Sequence, residues 1–114
     1  MDERLRAVEA QLGLRLPEEL RSLYANGDGR YNETGEWWVV WPIDRLVASN
    51  RLAWKNGLPV SCVAFGDDGT GDPFYVDLAA DTREVQRWSW TDGAPHGSEG
   101  SIFDFATTWI AEDG

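Results

Sequence analysis

Cysteine, histidine, basic side chains and long apolar runs are all scarce in this sequence. One cysteine, Cys62, excludes an intramolecular disulfide and fits a reducing compartment. With His96 as its only histidine, the chain is poorly supplied for a tetrahedral zinc site. No run approaches the roughly 18 apolar residues of a membrane span. The opening MDERLRAVEAQ carries charge where a signal peptide would carry its apolar region, so a soluble, cytoplasmic protein is expected. Ten basic residues face twenty acidic ones, for a net charge of −10. Nucleic-acid binding depends on Lys and Arg displacing counterions, so such a surface opposes phosphate backbones. The same field raises the encounter rate with a basic protein, although solubility alone also accounts for it.

What remains is ordinary globular material. At 114 residues and 42% hydrophobic, the chain suits one domain, 1–114, with a real core. Leu5, Val8 and Leu12 recur at helical spacing over 2–12, and Gly13 is placed to cap that helix. Pro17 suits the first turn of a second helix carrying Leu20, Leu23 and Tyr24, which Asn26-Gly27 ends. WWVVWP, residues 37–42, reads as a strand, and 44–54 as a helix with Leu46, Val47 and Leu52. Strands follow at 60–65, 74–76 and 84–90, and residues 92–100 read as a glycine-rich loop. Ser101 opens a last helix, with Asp104 completing a capping box. The order ααβαβββα predicts an α+β fold, with a mainly antiparallel sheet covered by helices.

The stretch FGDDGTGDPFYVD concentrates four aspartates and three glycines. An EF-hand loop alternates acids over its first five positions, then places Gly sixth and Glu twelfth. Counting from Asp68 finds Pro73 and Ala79 at those two places; counting from Asp67 finds glycines where ligands belong. A phosphate loop would need Gly-Lys-Ser/Thr, and this stretch has no lysine. The stretch therefore reads as a strand-to-strand turn, with Gly69 and Gly71 at positive φ and aspartates bonding nearby backbone N–H groups. Sequence distance alone permits a Cys62–His96 dyad, but VSCVAF is apolar and nothing near it would lower the thiol's pKa. GSEG misses the Gly-x-Ser-x-Gly elbow by one place. No catalytic residue, cofactor or metal is expected.

Seven tryptophans are many for one small core. The strand period puts Trp37 and Trp41 on one face and Trp38 on the other, and it pairs Trp88 with Trp90. Two or three of these rings are expected at an interface, where tryptophan dominates binding energy. The expected partner-binding set is Trp38, Asp67, Asp68, Asp72, Trp88 and Trp90.

LGLRLPEELRSLYANGDG resembles the N-terminal signature of the SUKH superfamily of Smi/Knr-type domains. FGDDGTGDPFYVDL resembles its central pattern, EVQRWSW the strand after it, and IFDFATTWIAE the closing helix. Leu16, Pro17, Tyr24, Asn26 and Gly27 match the first motif; Phe65, Gly66, Gly69, Gly71, Asp72 and Asp77 match the second. The resemblance implies an α+β fold in which most of these residues are structural. It also implies a binding role: bacterial members commonly neutralise a secreted polymorphic toxin, often a nuclease, and fungal members regulate cell-wall synthesis. The leading expectation is an immunity protein that binds a basic toxin. An intracellular regulatory scaffold is the alternative, and a hydrolase using the aspartates of 67–77 is the remote one.

Overall fold

The computed structural model describes residues 3–25, 28–31, 37–80 and 84–110. Asp2, Asn26 and Gly27, named above for a helix start and a helix stop, lie outside them. The chain begins with two short helices, α1 (Glu3–Leu12) and α2 (Glu18–Ala25). Gly13, at φ 71°, ends α1 and returns its N–H to Glu9 O at 2.8 Å. Pro17 directly precedes α2, and its carbonyl accepts from Leu20 N and Arg21 N. Glu9 ties the two helices together, receiving Leu16 N and Arg21 Nη2 at 2.7 and 2.6 Å.

Two short strands, β1 (Arg30–Tyr31) and β2 (Trp38–Val40), form an antiparallel pair. A single 3-10 turn over Ile43–Arg45 leads into α3 (Leu46–Lys55). Then come β3 (Cys62–Asp67), β4 (Pro73–Asp77), β5 (Val85–Ser89) and β6 (Ala94–Gly100), paired in sequence order as an antiparallel meander. Helix α4 (Ile102–Trp109) closes the chain, with Ser101 and Asp104 forming the expected capping box.

The α+β fold stands as expected, but β1 is an additional strand that sets β2 in a two-stranded sheet of its own, and three further details differ. Residues 94–100 form an edge strand, not a loop. APHGSEG has almost no apolar side chain to signal pairing, and its register shifts between Arg87 and Trp88 on the neighbouring strand. The 60–65 strand begins only at Cys62, leaving Val60 at 75% exposure. Leu52, expected in the buried stripe of α3, is 60% exposed; Leu46, Asn50 and Ala53 fill that stripe.

Alternation along β4 defines the two faces of the large sheet. Phe74 turns toward α4, where its ring meets Phe105 at 4.8 Å and Trp109 at 4.9 Å. Tyr75 turns the other way, toward Trp88 at 6.2 Å. Helix α3 meets the outer side of β3 through two side chains: buried Asn50 donates to Ala64 O and accepts from Ala64 N, both at 2.8 Å, and Trp54 Nε1 donates to Cys62 O at 2.8 Å. An amide with one donor and one acceptor so placed substitutes for a neighbouring strand. The remaining part of that edge is met by β2, since Trp41 N donates to Phe65 O at 2.7 Å.

Candidate functional site

Phe65 and Gly66 carry β3 into the aspartate stretch. Phe65 is fully buried against Phe105. A Cβ on Gly66 would lie 1.6 Å from Val39 O, so only glycine lets β2 approach this closely. The β3–β4 connection is closed by Asp68 N donating to Asp72 O at 3.2 Å. Gly69 and Gly71 sit at φ 91° and 100°, where L side chains are strained.

Side chains from both sheets hold this loop. Trp41 Nε1 donates to Asp67 Oδ2 at 3.0 Å, and Gly69 N to Asp67 Oδ1 at 2.8 Å. Trp37 Nε1 donates to Asp67 O at 3.1 Å, with its ring lying where a Cβ on Gly69 would go. Asp68 accepts from Thr70 N and Oγ1 through Oδ1, and from Arg87 through Oδ2 at 3.3 Å. Trp90 bonds twice, Nε1 to Gly71 O at 2.9 Å and N to Asp72 Oδ1 at 3.2 Å. Asp77 accepts from Ala79 N. The aspartates thus bond local N–H groups, as a structural turn requires, and tryptophans supply much of the remaining donation.

Of the six expected partner-binding residues, the structure gathers Asp67, Asp68, Asp72 and Trp90 around this loop. Both oxygens of Asp67 and of Asp68 are engaged internally; among the described residues Asp72 keeps one oxygen without a bond. Trp90 is 37% exposed, whereas Trp88 is buried beneath it, the two rings 6.3 Å apart. The Trp88 Nε1 is buried with no acceptor among the described residues. Trp38 stands apart from this cluster, stacked on Tyr31 with centroids 4.0 Å apart, and Tyr31 is 46% exposed.

Between the loop and α3 runs a cleft of about 220 Å³, lined by Trp41, Trp90, Pro73, Arg45, Leu52 and Asn56 among others. Arg45 lies over the Trp41 ring, 5.6 Å from its centroid. The α3 members were not legible as site residues; Leu52 reads as core from its spacing, and its exposure is the signal that only packing reveals.

The thiol reading ends here. Cys62 is on β3 and His96 on β6, three strand spacings or roughly 14 Å apart across the sheet. Burial, with Asp77 adding to it, pushes the Cys62 thiol up to about 11. Among the described residues no three His, Cys, Asp or Glu side chains converge closely enough to hold a metal ion. No described helix is long and apolar enough to cross a membrane.

The molecule is thus an α+β domain whose main inter-strand loop is built onto three tryptophans from two segments, Trp37 and Trp41 flanking β2 and Trp90 following β5. The SMI1/KNR4 family (SUKH-1) matches over residues 1–112, and the chain belongs to that family. Membership supports a protein-binding role of the immunity or Smi/Knr type. No curated protein matches the chain.

Proposed function

We propose that the whole chain, 1–114, acts as a single non-enzymatic binding domain, an immunity protein that neutralises a basic, nuclease-type toxin in the cytoplasm. The observation carrying this reading is the loop face: an exposed Trp90 beside Asp72, on a family member with a net charge of −10. A nuclease must attract phosphate, so its active-site surface is cationic, and an acidic protein complements it. Trp90 supplies the apolar anchor, with its indole held in place before any partner arrives, which lowers the ordering cost of binding. The Trp38–Tyr31 stack offers a second aromatic contact.

The test is co-expression with the toxin module encoded beside this chain's gene. Rescue of growth, with a stable complex of the two purified proteins, is the expected outcome. If no toxin-like neighbour exists, or if the neighbour is not neutralised, the regulatory scaffold becomes the better reading.

A further inference from the structure

A second surface lies on the α4 side of the large sheet. Glu19 and Leu23 of α2 form one wall of a groove, and Ile102, Phe103 and Ala106 of α4 the other, around about 390 Å³. Phe103 is 78% exposed, while Ile102 and Phe105 on either side of it are buried. One residue on from Ile102, it has rotated off the core-facing stripe, so packing of α4 does not require an aromatic there. Isolated exposed apolar side chains are unremarkable. This one adjoins Leu23 and Ile102, which makes the apolar surface continuous across two helices.

Charge decides what this groove fits. Glu19 is the only charged side chain among the described residues of its lining, and Glu18 is exposed next to it on α2. Neither carboxylate has an ion-pair or hydrogen-bond partner among the described residues, and no basic residue lines the groove. A second copy of this chain would bring a net charge of −10 against its equal. A small polar ligand would need convergent polar groups, and this lining is mainly apolar. We infer that the α2–α4 groove docks a basic segment of a partner protein, seating an apolar side chain against Phe103 and Leu23 and a Lys or Arg against Glu18 and Glu19. The surface is distinct from the Trp90 cleft: Phe74 faces α4, whereas its neighbours Pro73 and Tyr75 alternate to the side of Trp88 and Trp90. The inference therefore stands or falls separately from the toxin reading.

Fluorescence anisotropy with the full chain tests it, using a labelled synthetic amphipathic helix with leucines at i, i+3, i+4 and i+7 and lysines elsewhere. A companion peptide replaces every lysine by glutamate. The lysine peptide should bind at low salt, and the glutamate peptide should bind at least about tenfold more weakly. Phe103→Ala and Glu19→Lys should each weaken the lysine peptide by about tenfold or more, with Trp90→Ala leaving it unchanged. Both Phe103 and Glu19 are exposed, so melting should confirm an intact fold in each variant. No binding of the lysine peptide overturns the inference, as does binding indifferent to Phe103→Ala or equally sensitive to Trp90→Ala. Sedimentation showing a dimer that Phe103→Ala abolishes would also overturn it, by making a second copy the occupant.

Discussion

Asp67 receives Trp41 Nε1 on one oxygen and Gly69 N on the other, while its carbonyl takes Trp37 Nε1. Asn at this position would present a donor where one of the two side-chain acceptors is needed. Asp67→Asn is therefore expected to destabilise by about 1–3 kcal/mol, seen as a lower urea midpoint, before any effect on a partner is considered. Asp72, with one oxygen unbonded among the described residues, is the cleaner probe of partner binding in this loop. Cys62 carries a second residue-level expectation. Its thiol is raised from 9.0 to about 11 in the fold, and Tyr75 from 10.0 to about 12 by burial, with Cys62 and Asp77 adding to it. Groups that ionise more easily when unfolded favour unfolding once pH passes their unfolded values. Stability should hold below about pH 9 and decline as pH rises toward 11, and Cys62→Ala should flatten the early part of that decline. A thiol reagent at neutral pH should label Cys62 only after denaturant is added.

At the scale of elements, the structure depends on how α3 and β2 share the outer edge of β3. Asn50 is fully buried and gives Ala64 both bonds that a neighbouring strand would have given. Asn50→Ala leaves a buried N–H and C=O unpaired, so a loss of about 3 kcal/mol is expected in chemical denaturation. The approach of β2 is just as exacting. Gly66→Ala would drive a methyl into Val39 O, and a loss of about 3 kcal/mol is expected. Milder is the end of β6, where Ser101 Oγ accepts from Asp104 N at 3.1 Å. Ser101→Ala should cost about 1 kcal/mol.

For the whole molecule, the net charge of −10 and the Trp90 cleft make separable contributions to binding a basic partner. Long-range attraction acts on association and is screened as the Debye length falls from about 10 Å at 0.1 M salt to about 3 Å at 1 M. A buried anchor acts on dissociation. With the neutralised toxin in hand, stopped-flow should show association slowing steeply with salt. Trp90→Ala should leave that rate nearly unchanged and speed dissociation by an amount worth about 2 kcal/mol. Association indifferent to salt would reduce the acidic charge to a solubility device.

The sequence by itself determined the fold class, the caps and the turn. Gly13, the Ser101–Asp104 box, Gly69 and Gly71 are local devices, and local devices are readable because their physics spans a few residues. It also determined the acidic charge and the family, the latter through motifs spread along most of the chain. Strand β6 is not legible in the sequence because its pairing is held by backbone bonds to β5 rather than by an apolar face. Only the tertiary structure decided which tryptophans hold the loop and which remain open. Trp88 and Trp90 share a sheet face and a composition, yet one is buried and the other sits at the sheet's end against Gly71. Leu52 is exposed for the same reason: spacing along a helix says which side chains share a face, but what covers that face is set by segments far away in the chain.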